Sequence, residues 1–145
     1  MFNKGSVNKS FPNLIDFDIY PNTESEKYNC ISYSLGLWYK WSWPTGNEYR
    51  YWPIPNKTET KKAFDEFYLH HGYSLIDINN IGYESGYTKV ALFVKDNIPK
   101  HAAIQLDNTH WESKMGFYEI IKHKLNELEG GIYGNIIQLY SKKIL

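Results

Sequence analysis

Two side chains in this 145-residue sequence have the types and order of a nucleophile and its base: Cys30, the one cysteine, and His101. A thiol attacks well only as its thiolate, and a helix N-terminus or a nearby imidazolium stabilises that anion. Cys30 sits in the run YNCISYSLGLW, where Ile31, Leu35 and Trp38 recur at helical spacing and Ser25 or Asn29 can cap. A helix over about 29–38 is expected, with Cys30 in its first turn. His101 opens HAAIQL, which reads as a strand. A histidine that opens a strand at a sheet edge can face a helix N-terminus packed on that sheet. The order Cys30, His101, then a polar residue on the following strand suits a Cys-His-X site.

The elements that must position this pair alternate between types. The segment 13–20 alternates apolar and polar residues, as a short strand does, and Pro21 ends it. Residues 38–55 hold seven tryptophans and tyrosines among three prolines and a glycine, so an aromatic loop or ragged hairpin is expected there. The segment 58–71 is the clearest helix, capped by Thr58 or Thr60 and stopped by Gly72. YSLIDI, KVALFV, HAAIQL and HWESKM read as strands separated by turn residues. FYEIIKHKLNELEGG reads as an amphipathic helix with Ile120, Ile121, Leu125 and Leu128 inward, and YGNIIQLYS as a last strand. The sequence predicts one α+β domain over 1–145, with residues 1–12 a loose polar arm.

Sixteen basic and sixteen acidic residues cancel, which argues against the basic stripe of a nucleic-acid binder. A lone cysteine excludes an internal disulfide. The N-terminal residues lack the apolar core of a signal peptide, and no apolar run is long enough to span a membrane. No membrane association is therefore expected; a cytoplasmic location is, with export by a route that reads no Sec signal left open.

YNCISYSLG resembles the cysteine-bearing helix start of the papain-like fold, in the NlpC/P60 and CHAP group. KVALFVKDNIPKHAAIQLDNTHWESKMG resembles that group's two-strand unit, in which the first strand presents the histidine and the second the third residue. The chain is also similar to a bacterial family of unassigned function with YNCI-A-LG, HAA-QL, W-SK-G and LEGG-YG motifs, here at 28–36, 101–106, 111–116 and 128–134. The papain-like resemblance implies an α+β fold with the Cys-bearing helix packed on a small antiparallel sheet. It implies Cys30 as nucleophile, His101 as general base and, by gapless counting, Ser113 as the residue that orients the imidazole. Serine departs from the group's usual His, Asp, Asn, Gln or Glu, so either Glu112 or His110 serves instead or the triad is incomplete. The backbone N–H of Cys30, with a donor near Tyr28 or Asn29, would hold the oxyanion.

Each feature also has a plainer account. A single cysteine among many aromatics is commonly a small buried hydrophobe. His110 and His123 read as surface or satisfied core residues. Cys30, His70, His71, His101 and His110 could ligate metal, but no pair has zinc-ligand spacing, so neither metal nor cofactor is expected. Trp38, Trp41, Trp43, Tyr49, Tyr51 and Trp52 could wall a cleft, fill the core or bind a partner. Trp41, Trp43, Trp52 and Trp111, with Tyr28 and Asn29, are the expected substrate contacts. GGIYG reads as turn chemistry, since no Lys-Ser/Thr follows as in a phosphate loop. The expected activity is that of a thiol hydrolase (peptidase, amidase or deamidase) on a peptide or other amide, with a protein partner also conceivable. The alternative is a non-catalytic protein- or glycan-binding module that uses the aromatic loop 38–52.

Overall fold

Strands dominate the fold, and most of them lie in the second half of the chain. The computed structural model describes residue 7 and residues 9–144. Its elements are β1 (Asp18–Ile19), α1 (Cys30–Ser34), α2 (Lys61–His70), β2 (Ser74–Ile76), β3 (Tyr87–Lys95), β4 (Ile98–Gln105), β5 (Trp111–Lys114), β6 (Ile120–His123), a 3-10 turn (Leu125–Leu128) and β7 (Asn135–Lys143). The strands form one sheet in the order β1-β6-β5-β4-β3-β7-β2, and every pairing is antiparallel.

This corrects the papain-like α+β arrangement that the sequence led us to expect. A seven-stranded antiparallel sheet carries the fold, and the helices contribute only five and ten residues. Two segments account for much of the difference. The helix expected after Phe117 is instead β6 and the 3-10 turn. Ile120, Ile121 and their neighbours pair with 111–114 across from them, and β-branched side chains suit that pleated surface. Leu125 and Leu128, three apart, stack on one side of the 3-10 turn and bury there. The helix expected over 29–38 stops after one turn and a half, because Gly36 adopts φ 74° and reverses the chain.

The alternation of side chains builds a core on each face of the sheet. Ala91, Phe93, Ala103, Trp111, Ile121 and Leu139 pack on one face. Val90, Leu92, Ala102 and Tyr140 pack on the other, beneath Ile31 of α1 and Phe64 and Phe67 of α2. Both Val7 and Phe11 are buried in the first core, so the described part of the expected loose arm is packed; residues 1–6 and 8 lie outside the described residues. Of the strand expected over 13–20, only Asp18 and Ile19 pair, with Lys122 and Ile121. Among the described residues, no helix is long and apolar enough to cross a membrane.

Candidate active site

The β3–β4 hairpin sets His101. Asp96 and Asn97 both take positive φ (52° and 65°), the conformation of a tight hairpin turn, and Asn and Asp tolerate it better than most residues. Register shifts by one residue beside Phe93, which leaves His101 paired with Phe93. The His101 ring is 1% exposed, edge-on to Phe93 and flat against Tyr133.

Tyr133 is held in place by its glycines. A Cβ on Gly131 would stand 2.0 Å from the carbonyl oxygen of Ser10. One on Gly134, at φ +73°, would stand 2.2 Å from that of Val94. Only glycine lets the backbone approach so closely. The GGIYG run is turn chemistry, and its effect is to press a phenol ring onto the imidazole.

His101 Nε2 is 2.8 Å from Ser113 Oγ on β5. Ser113 Oγ is in turn 2.7 Å from Nε2 of His123 on β6, whose Nδ1 is 2.8 Å from the Lys124 carbonyl oxygen. All three side chains are sealed from solvent. Burial, and then the neighbouring His123, hold the His101 pKa well below the ordinary imidazole value. Burial lowers His123 to about 4, against a weaker opposing pull from its bond to the Lys124 carbonyl. Among the described residues, His101 Nδ1 is the one buried side-chain nitrogen or oxygen without a hydrogen-bond partner. Such an orphan costs about 1–3 kcal/mol and calls for a reason.

Cys30 is the first residue of α1, after Asn29 as N-cap. α1 lies against β4 and β5, and Cys30 packs with Val90, Leu92 and Ala102 on the face opposite the His101 ring. The backbone amides of Ala102, Ile31 and Cys30 itself favour the thiolate. The Ala102 amide belongs to the peptide unit that follows His101. The sulfur and the imidazole therefore flank one peptide bond of β4, although no hydrogen bond joins Cys30 to Nδ1. Burial outweighs the amides and the Lys114 charge and pushes the thiol up to about 11. The lowered pKa expected from the helix start is not realised, since a helix this short has little dipole to set against desolvation.

The other expected site residues divide into core, scaffold and surface. Glu112 points to the α1 face, away from His101, and accepts hydrogen bonds from the Tyr20 hydroxyl (2.5 Å) and the Tyr33 hydroxyl (3.1 Å). His110 sits in the turn beside Asp107. Neither is hydrogen-bonded to His101; the residue that is, through Nε2, is Ser113. Asn29 is consumed by the scaffold. Its Oδ1 accepts from the Ser32 and Ser42 amides and one of its two Nδ2 protons goes to the Ser42 carbonyl, so the side chain is fixed between α1 and Ser42. Trp52 stacks on Phe67 at 4.1 Å and 9°, Trp43 meets Phe64 edge-on, and Trp111 is 3% exposed in the first core. Trp52 and Trp111 are therefore core residues, and Trp43 leans on the core. Tyr28 stacks with Tyr33 and the exposed Trp38, and Lys114 Nζ lies 5.0 Å over its ring. Trp41 packs on Phe117 at 5.0 Å, with the Arg50 guanidinium 5.2 Å over its ring.

Two members of the buried cluster escaped the sequence reading. His123 was hidden in a segment that reads as helix, where it has no strand neighbour to bond. Tyr133 lay in a glycine-rich turn with no sign of what it would cover. Among the described residues, no group of three or more His, Cys, Asp or Glu side chains could hold a metal ion.

Residues 19–141 match the family described as Domain of unknown function (DUF7689), and the chain belongs to that family. No curated protein matches the chain. No solved structure does either.

Proposed function

We propose that the chain is a thiol hydrolase that acts on an amide, with Cys30 as nucleophile and His101 as general base. The carrying observation is the buried, unpartnered His101 Nδ1, on the residue next to Ala102, whose side chain packs with Cys30 and whose amide favours the Cys30 thiolate. Its other nitrogen is already held by Ser113. The sulfur packs on the other face of β4 from the imidazole, so the proposed proton transfer requires Cys30 to swing past the His101–Ala102 peptide bond when substrate binds; catalytic hydrogen bonds often close only around substrate.

The thiol is protonated at neutral pH, and the imidazole is neutral. The pair therefore acts by general-base catalysis and not as a standing ion pair. Nδ1 takes the thiol proton as sulfur bonds to the carbonyl carbon. The imidazolium gives that proton to the leaving nitrogen as the C–N bond breaks, and water then hydrolyses the thioester. Amide N–H groups at the start of α1 face the sulfur and can receive the oxyanion. The same steps serve a peptidase, an amidase or a deamidase. The test is turnover of p-nitrophenyl acetate, an activated acyl donor, by the wild type against Cys30→Ser. Equal release of p-nitrophenol by both would remove Cys30 from the chemistry.

A second reading draws on the surface. Trp38, Tyr39, Tyr49 and Phe117 are 58%, 69%, 85% and 61% exposed. Exposed aromatics of this kind make binding platforms, and a non-catalytic module would use loop 38–52 to hold a protein or a glycan. Loss of partner binding on Trp38→Ala, with no acyl transfer in the wild type, would favour it.

A further inference from the structure

We propose that His123 is a positioning residue: through the hydroxyl of Ser113 it fixes which nitrogen of His101 carries the proton, and leaves Nδ1 as the bare acceptor. The proposal rests on the general-base reading of His101 for its use, but not for its geometry.

The direction follows from one end of the chain of contacts. The Lys124 carbonyl oxygen can only accept, and it is 2.8 Å from His123 Nδ1. His123 must therefore carry its proton on Nδ1. It is neutral at pH 7, because burial lowers its pKa to about 4. Its Nε2 then has a lone pair and no hydrogen, and at 2.7 Å it accepts the single hydroxyl proton of Ser113. With that proton spent, Ser113 Oγ can only accept from His101 Nε2, 2.8 Å away. His101 thus bears its hydrogen on Nε2, and a neutral imidazole has no second one. Nδ1, the atom without a partner, is left as a lone pair.

The reverse direction fails at the first step, since it would set a bare His123 Nδ1 against a carbonyl oxygen with no proton between them. A serine alone would be a poor orienter, because its hydroxyl rotates and serves equally as donor or acceptor. His123 removes that freedom. The pair Ser113–His123 thereby does the work of one carboxylate or amide side chain. The Lys124 carbonyl is the anchor of the whole row.

Nitrogen-15 NMR reports the tautomer of each histidine directly. In the wild type at pH 7 the expected spectrum has a protonated Nε2 and an unprotonated Nδ1 for His101, and the opposite pattern for His123. His123→Leu deprives Ser113 of its acceptor, frees the hydroxyl to donate to His101, and should move the His101 proton to Nδ1. His123→Gln, whose side-chain oxygen can accept from Ser113, should restore the wild-type tautomer. A wild-type His101 with its proton on Nδ1 would overturn the proposal even if neither variant folds. So would a folded His123→Leu protein whose His101 keeps the wild-type pattern. If the tautomers are as expected but wild type and Cys30→Ser release p-nitrophenol equally, the hydrolase reading fails and the positioning role stands.

Discussion

The phenol ring of Tyr133 lies on the imidazole of His101 with centroids 4.1 Å apart and planes 3° from parallel. That contact closes one face of the imidazole to water and helps depress its pKa, since desolvation is the largest cause of the shift. Tyr133→Ala opens that face. The His101 pKa should rise back toward 6.5, read by NMR titration of its ring protons, while that of His123 changes less. An unmoved His101 would mean that the strands, not Tyr133, exclude the water.

The two buried histidines tie stability to pH with a definite sign. Both have folded pKa values below the unfolded imidazole value. Below about pH 6.5 the unfolded chain takes up protons that the folded chain refuses, so stability is full above that pH and declines as pH falls. For His123, with its pKa near 4, the loss should reach on the order of 3 kcal/mol by pH 4. Urea unfolding at a series of pH values checks it. The slope between pH 6.5 and 4 should be shallower in His123→Gln than in the wild type.

Gly134 should tolerate no side chain. Alanine there must keep φ +73° and bring its Cβ to 2.2 Å from the Val94 carbonyl oxygen. Left-handed backbone alone costs roughly 1–2 kcal/mol for a residue with a Cβ, and the contact adds to it. Gly134→Ala should lower the thermal midpoint by several degrees more than Gly36→Ala. Gly36 has a similar φ of +74° but nothing within 4 Å of its would-be Cβ. Equal losses at both sites would show that strain dominates and the close approach is relieved.

Local chemistry was legible in the sequence where neighbours along the chain decide it. Cys30 in the first helical turn, Gly72 at the end of α2 and the DN turn before His101 follow from short-range rules, which also narrow the caps to Ser25 or Asn29 and Thr58 or Thr60; the structure uses Asn29 and Thr60. Gapless counting placed Ser113 as the residue after His101 in the row, and the structure sets the two 2.8 Å apart. Long-range pairing was not legible. The spacing of Ile120, Ile121, Leu125 and Leu128 fits a helix face as well as a strand and a 3-10 turn. Only the partner strand β5 decides between them, and with it the place of His123. The tryptophans were ambiguous for the same reason. Trp52 has a core role because Phe67 of α2 lies 4.1 Å away, and nothing in its own neighbourhood in the chain announces that.

Thiol reactivity should bear the mark of burial. With its pKa pushed up to about 11, Cys30 should react with iodoacetamide slowly at pH 7 and gain rate continuously toward pH 11. In guanidinium the midpoint should return to about 8.5, the ordinary value for an unfolded cysteine. A folded-state midpoint below 8.5 would mean that the amides at the start of α1 and the Lys114 charge outweigh desolvation.

The central claim is that Cys30 and His101 act as one unit on an acyl group. Its most direct test is intact-protein mass spectrometry of the wild type, Cys30→Ser and His101→Gln after brief exposure to p-nitrophenyl acetate at pH 7, with the adduct located by peptide mapping. The account predicts an acetyl group on Cys30 in the wild type, none at that position in Cys30→Ser, and at least a tenfold slower appearance in His101→Gln, as for loss of a general base. A Cys30 that stays unmodified, or one acetylated equally fast with and without the imidazole, would contradict it.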